Sequence, residues 1–237
     1  YTFLAVSIIF SACKKEDDTS TTIGNNNVNS SIYTYVPDDN FEKALINLGL
    51  DNTLNDTVLT AAIDTLLLLN INDNSINDLT GIEAFTALTE LTCEFNQLTS
   101  LNVSNNLALT YLECGGNQLT SLDVSQNTAL SYLNCCFNSL TSLDVIGANA
   151  LDTLYCKNNQ LTSLDFRTNT ALAWLGCRNN QLTSLDVRNG NNTNITLFSS
   201  TNNPNLYCID VDDLAWSTTN WIQIDSQSFF SEDCGVK

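Results

Sequence analysis

The sequence predicts a repeat solenoid in which successive turns of chain stack a parallel β-sheet along one concave face. Two observations carry that prediction: a Leu-Thr-Ser-Leu step that recurs every 21 residues, and a cysteine that keeps the same interval. The step begins at Leu98, Leu119, Leu140, Leu161 and Leu182, and the cysteines are Cys93, Cys114, Cys135, Cys156 and Cys177. Five copies at a fixed period mark one unit that cannot bury its apolar face alone and does so against its neighbours.

In chain order, Tyr1 to Ala12 is almost wholly apolar, ends in Phe10-Ser11-Ala12-Cys13, and is followed at once by Lys14-Lys15-Glu16-Asp17-Asp18. A bilayer takes about 20 helical residues to cross, so residues 1–12 are expected to be the remainder of a signal peptide. The absence of any methionine, an initiator included, fits a trimmed precursor. The segment resembles the apolar core and lipobox of a bacterial lipoprotein signal, with Phe10 where leucine is commoner. That resemblance implies cleavage before Cys13, acylation of its thiol, and attachment to a membrane by lipid alone. The basic-then-acidic run is similar to the surface-export signal of Bacteroidetes-type lipoproteins, which implies a lipid-anchored place on the outer face of a bacterial outer membrane. Residues 13–35, rich in Ser, Thr and Asn, have too little apolar surface to order themselves and are expected to be a flexible tether.

Residues 36–65 are expected to form an N-terminal helical cap. Val36-Pro37-Asp38-Asp39 opens a helix, Asp39 can cap it, and Glu42 stands three residues on as in a capping box. Phe41, Ala44, Leu45 and Leu48 share one face, and Gly49 is placed to end the helix in a left-handed conformation. The apolar stripe is expected to cover the exposed first rung.

Residues 66–206 hold the repeats. One unit is Leu-x-x-Leu-x-Cys-x-x-Asn-x-Leu-x-x-Leu-x-Val, as in Leu109, Leu112, Cys114, Asn117, Leu119, Leu122 and Val124. This pattern resembles the leucine-rich-repeat family, in its irregular 21-residue, cysteine-bearing form of bacterial surface proteins. The resemblance spans about Leu66 to Leu206 and implies a right-handed superhelix. A 22-residue rung precedes the regular ones, in Leu69, Ile71, Asn74, Ile76, Leu79 and Ile82. Its Leu79-Thr80-Gly81-Ile82-Glu83 step is similar to internalin-like repeats. A degenerate last rung runs through Leu197 and Asn202, giving about seven in all.

Stacking assigns a task to each column. Along Leu-x-Cys the period is two, so Leu and Cys point inward and the residues between them face out. The five cysteines are expected to be small buried thiols used as packing; alternation turns Cys136 outward, as a free reactive thiol or an ordinary surface residue. Asn96, Asn117, Asn138, Asn159 and Asn180 are expected to form a buried amide ladder that satisfies backbone groups where the chain leaves the strand. Asp123, Asp144, Asp165 and Asp186, with Asn102 in the first copy, are expected to cap turns on the convex side. One column of carboxylates offers too few oxygens for calcium, and Asp210, Asp212 and Asp213 pose the same alternative. Residues 207–237 are expected to form a C-terminal cap, holding Trp216, Trp221, Phe229 and Phe230 and closed by a Cys208–Cys234 disulfide.

Composition narrows the function. Twenty-six acidic residues against eight basic ones give a formal charge of −18, which repels nucleic acids and anionic lipid surfaces. Histidine is absent, so the usual proton shuttles of hydrolases are missing. Neither catalysis, nor a metal, nor a cofactor is expected. The outward columns instead vary from rung to rung over a constant framework. They read Glu90, Tyr111, Tyr132, Thr153, Trp174; then Thr92, Glu113, Asn134, Tyr155, Gly176; then Glu94, Gly115, Cys136, Lys157, Arg178. Exposed Tyr and Trp on a rigid sheet are the chemistry of recognition. Tyr111, Glu113, Tyr132, Tyr155, Lys157, Trp174 and Arg178 are the expected ligand-binding residues, with Lys157 and Arg178 as a basic spot for an anionic group. The expected protein is a monomeric surface module that binds a protein or a polysaccharide. The alternative is a structural or assembly part of the bacterial envelope.

Overall fold

The computed structural model describes residues 32–235; Cys13, the signal segment and the tether as far as residue 31 lie outside the described residues. Strand β1 (Tyr33–Tyr35) pairs antiparallel with β2 (Thr57–Leu59), so order begins inside the stretch expected to be tether. Composition averaged over a Ser/Thr/Asn run hides a Tyr-Thr-Tyr segment whose backbone partners come from residues more than 20 positions away.

Between these strands lies helix α1 (Asp39–Asn47), whose cap is Asp38 and not Asp39. Asp38 Oδ1 accepts from the Asn40 and Phe41 amides, while Oδ2 accepts from the amides of Asn77 and Asp78 in the first repeat. One carboxylate therefore starts the helix and fastens it to the solenoid; Asp39, exposed, faces Lys43 at 3.7 Å instead. Glu42 makes no capping box. It is buried and receives the amides of Asn55, Asp56 and Thr57, holding the loop that leads into β2. Gly49 takes φ +76°, and the bonds from Gly49 N to Ile46 O and from Leu50 N to Leu45 O close the last turn. Phe41, Ala44 and Leu45 bury their side chains, with the Phe41 ring 6.2 Å from that of Phe85. Leu48 does not join them: as the residue that ends the helix it is 50% exposed. A single-turn helix, α2 (Thr60–Ile63), leads into the repeats.

The strands that follow are β3 (Leu68–Asn70), β4 (Glu90–Thr92), β5 (Tyr111–Glu113), β6 (Tyr132–Asn134), β7 (Thr153–Tyr155), β8 (Ser163–Asp165), β9 (Trp174–Gly176), β10 (Ser184–Asp186), β11 (Leu197–Ser199) and β12 (Cys208–Asp210); α3 (Leu214–Asn220) and β13 (Phe229–Ser231) complete the chain. Seven of them, β3-β4-β5-β6-β7-β9-β11, form one parallel sheet in strict register: Leu69, Leu91, Leu112, Leu133, Leu154, Leu175 and Phe198 are successive partners. These are the seven expected rungs. A further turn stacks beyond them. Ser200 N donates to Gln223 O, the amides of Asn202 and Asn203 donate to Asp225, and β13 pairs with β12. The solenoid thus has about eight turns, and the C-terminal segment is itself the last one. Trp221 covers the end of the core, its ring 4.3 Å from Phe198 and its indole N–H on Ile195 O. The Cys208–Cys234 disulfide forms as expected.

The opposite side carries a second parallel sheet, β8-β10-β12-β13, which the sequence reading treats only as turns. The aspartate column does cap local turns: Asp123, Asp144, Asp165 and Asp186 each accept the amide two residues on. The same residues also pair as strands or bridges along the stack. Arg167 lies against Asp165 and Asp186, and Arg188 against Asp186 and Asp210, so three carboxylates at this end of the second sheet share two guanidinium groups.

Inside, Cys93, Cys114, Cys135, Cys156 and Cys177 are fully buried free thiols, with burial pushing Cys177 up to about 12. They remain neutral packing atoms at ordinary pH. The amide ladder runs beside them. From Asn117 to Asn180 each Nδ2 donates to two cysteine carbonyls, as Asn117 does to Cys93 O and Cys114 O, and each Oδ1 accepts a leucine amide of the previous rung. The first member, Asn96, donates to Ile71 O and Cys93 O and accepts the amides of Asn74 and Ile76. The last member is Asn203 and not Asn202. It receives Leu182 N and donates to Cys177 O and Ser200 O, because the last unit is two residues longer than the regular ones. Among the described residues no helix is long and apolar enough to cross a membrane.

Candidate functional site

The register of the concave sheet places the three outward columns side by side. In the first, Tyr111 and Tyr132 are cross-strand partners on β5 and β6, and their rings stack with centroids 4.2 Å apart and planes 8° apart. Tyr155, from the second column on β7, meets Tyr132 edge to face at 6.1 Å. Glu113 locks the group: its Oε1 accepts the Tyr111 hydroxyl at 2.7 Å and the Tyr132 hydroxyl at 3.3 Å. Burial, and then the neighbouring carboxylate, push the Tyr132 phenol up to about 12, so it is a hydrogen-bond donor at neutral pH. Five of the seven side chains, Tyr111, Glu113, Tyr132, Tyr155 and Lys157, are brought into one neighbourhood. Trp174 is 46% exposed and makes no ring contact among the described residues. Arg178 is exposed.

A groove of about 370 Å³ opens beside the tyrosines, lined by Glu94, Phe95, Gly115, Gly116, Tyr132, Asn134, Cys136, Phe137, Tyr155 and Lys157. Glycine makes its floor. A Cβ on Gly115 would stand 3.0 Å from Glu94 Oε1 and 3.1 Å from Cys136 O, and one on Gly176 would stand 3.0 Å from the Tyr155 ring. A side chain at Gly115 would fill the floor, and one at Gly176, outside the lining, would crowd the Tyr155 ring. Asn134 Nδ2 donates to Glu94 Oε1 across the gap that Gly115 leaves.

Two expectations change here. Cys136 is 5% exposed, outside the main core, and burial pushes its thiol up to about 11. It forms part of the groove floor under longer neighbours, so neither a reactive surface thiol nor a variable exposed residue describes it. The basic spot is also different: Lys157 Nζ sits 5.2 Å above the Phe137 ring, and Arg178 does not line the groove.

Phe95 and Phe137 are the residues that sequence reasoning missed. Both belong to a column of left-handed backbone in which Gly116 (φ +66°), Asn158 (+57°), Asn179 (+56°) and Asn202 (+60°) are the residue types that favour it. Phe95 (+54°) and Phe137 (+56°) are 59% and 53% exposed. A bulky residue in this region is strained by about 1–2 kcal/mol, and neither phenylalanine recovers that by entering the core. Phe95 instead lies over Gly116, where any Cβ would meet its ring at 2.6 Å. Both side chains line the groove. The signal was present in the sequence as two phenylalanines in register with Gly and Asn.

The electrostatics of the groove are lopsided. Burial, then Glu113 and Asp73, raise the Glu94 carboxyl above its ordinary range. Glu94 and Glu113 each use Oε1 in hydrogen bonds, and among the described residues neither has a cation within ion-pair distance. The lining offers aromatic faces, an amide, carboxylates and one ammonium. With the Cys136 thiol in its floor, the groove presents the mixed aromatic and polar surface of a contact site.

No family model matches the chain. Over 76 residues, 32% of its length, it is 42% identical to Internalin J of Listeria monocytogenes serotype 4b (strain F2365), and spans only 8% of that much longer protein. Its fold is similar to the crystal structure of an internalin C2 from Listeria monocytogenes, with a TM-score of 0.59, 21% identity, and coverage of 85% of this chain and 88% of the other. An internalin (inlF) of the same species gives a TM-score of 0.55 at 20% identity, over 80% of this chain and 55% of the other. The fold is that of a leucine-rich-repeat solenoid.

Proposed function

We propose that this leucine-rich-repeat chain is a non-catalytic recognition module that binds a protein or glycan through the concave face of its repeats. The observation that carries the reading is the contrast along that face. Leu, Cys and Asn positions repeat almost without change, while the outward columns vary and place Tyr132 and Tyr155 beside Phe95 and Phe137 around a glycine-floored groove. A rigid scaffold with a variable aromatic surface holds contact area at low entropic cost. The test is a binding screen of the protein against glycans and envelope proteins, repeated with Tyr132→Ala, Trp174→Ala and Arg178→Ala. Binding weakened by about tenfold or more, or 1.4 kcal/mol, at unchanged melting temperature is the expected result. Equal binding by all three variants would overturn the concave-face assignment.

The lipid-anchored position on a bacterial outer membrane is part of the same proposal and rests on the Phe10-Ser11-Ala12-Cys13 sequence. Metabolic labelling with a radioactive fatty acid should mark the protein, and Cys13→Ser should abolish the label. Labelling that survives the substitution would remove the anchor.

A further inference from the structure

The concave groove is bordered by carboxylates that have no ion-pair partner among the described residues. Glu94 lines it and Glu113 adjoins it, both beside aromatic rings, and among the described residues neither is paired with a cation. Three carboxylates of the second sheet are treated differently: Asp165, Asp186 and Asp210 are all within ion-pair reach of Arg167 or Arg188. The one internal cation of the groove, Lys157, comes from the β7 rung, three rungs from the β4 rung that carries Glu94, or about 14 Å at strand spacing. Its ammonium rests on the face of Phe137, which shows that an aromatic wall of this groove accepts a cation.

We propose that the groove takes a cationic side chain, an arginine of a basic segment in a protein partner, seated against the rings of Phe95 and Tyr132 and paired with the carboxylates of Glu94 and Glu113. The proposal rests on the reading of the concave face as a recognition surface and names the chemistry that this face selects. A guanidinium is planar, stacks on aromatic faces, and offers forked N–H donors to carboxylate oxygens. The Oε2 oxygens of Glu94 and Glu113, which accept no hydrogen bond from the described residues, are acceptors suited to it. An anionic group in the same place would meet these carboxylates and a protein of charge −18, so the long-range field also favours a basic partner.

The experiment is an NMR titration of the ¹⁵N-labelled protein with acetyl-Gly-Arg-Gly-amide, and with the same peptide carrying neutral citrulline in place of arginine. The amides of Gly115 and Gly116, in the floor of the groove, are the reporters. The expected result is a saturable shift of both with the arginine peptide, and binding at least about tenfold weaker with citrulline and in a Glu94→Gln, Glu113→Gln variant. Should that variant fail to fold, a salt series on the unaltered protein keeps the test sharp. Between about 0.01 M and 1 M salt the screening length falls from about 30 Å to 3 Å, which should weaken the arginine peptide and leave citrulline nearly unchanged. Equal shifts with citrulline, or no saturable shift at Gly115 and Gly116, overturn the proposal. If that occurs while a glycan or protein still binds in a Tyr132-dependent way, only the cation assignment falls; if nothing binds the face, the recognition reading falls with it.

Discussion

Two lines of buried asparagine run through this solenoid, and they do different amounts of structural labour. In the first, Asn96, Asn117, Asn138, Asn159, Asn180 and Asn203, both ends of every amide are bonded, and each Oδ1 from Asn117 onward is the partner of one leucine amide: Leu98, Leu119, Leu140, Leu161 and Leu182 in turn. In the second, Asn106, Asn127 and Asn169 are fully buried, yet their Oδ1 atoms have no partner. Their Nδ2 groups donate to carbonyls, such as Val103 O and Asn106 O, that already receive a backbone N–H. One rung dispenses with the residue: Ala148 fills the place, also buried. A polar column is obligatory where the backbone has no other partner, and merely supplementary where it does.

The comparison can be broken by substitution. Asn159→Ala should have the largest effect. It leaves the buried Leu140 amide without an acceptor, while Cys135 O and Cys156 O keep Asn138 and Asn180 as donors. One orphaned amide, at about 1–3 kcal/mol, and two lost hydrogen bonds suggest a loss of about 3 kcal/mol, to be read from chemical denaturation. Asn127→Ala removes only second bonds, and it also removes an unpaired buried oxygen, so about 1 kcal/mol or less is expected. Equal losses at the two positions would show that the columns are equivalent.

A third, partly exposed line sharpens the contrast. Asn179 Nδ2 donates to Asn158 Oδ1 and Asn202 Nδ2 to Asn179 Oδ1, all three in left-handed backbone, and it is here that Phe95 and Phe137 intrude. Phe137→Asn should relieve strain and raise stability by about 1 kcal/mol, while weakening whatever binds the groove. A residue that costs stability and returns it as contact is what a binding surface predicts; a destabilising Phe137→Asn would mean that the ring supports the fold.

How far these features could be read from sequence depends on what fixes them. The concave sheet, the thiol column and the first amide ladder follow from a period of 21, because each residue meets copies of itself. The second sheet is not legible because Ser163–Asp165 and Ser184–Asp186 end in aspartates that cap the following turns, a pattern that reads as turn and not as strand, and their pairing is set by the stacking of the opposite side. Asp38 and Asp39 are equally good caps on paper; only the amides of Asn77 and Asp78, brought in by the fold, decide between them. Cys136 alternates outward as expected, but its burial depends on Tyr155 and Lys157 of the following rung. In the site, the tyrosines were legible as exposed aromatics, whereas the groove needed Gly115 and Gly116, whose meaning is the absence of a side chain next to a particular neighbour.

The smallest effect is the most discriminating. Ala148→Asn restores the second column to continuity. The new Nδ2 can reach Val124 O and Asn127 O, as Asn127 reaches Val103 O and Asn106 O, for a gain of about 1 kcal/mol per bond. The new Oδ1 is buried without a partner, like those of Asn127 and Asn169, at a cost of about 1–3 kcal/mol. These terms nearly cancel, so the melting point should hardly move, and the change should stay within about 1 kcal/mol either way. A stabilisation of about 2 kcal/mol or more would mean that the column contributes as a continuous chain of dipoles, each amide strengthening the next. A loss of that size would mean that the backbone around Ala148 has closed over the space that its neighbours keep for an amide.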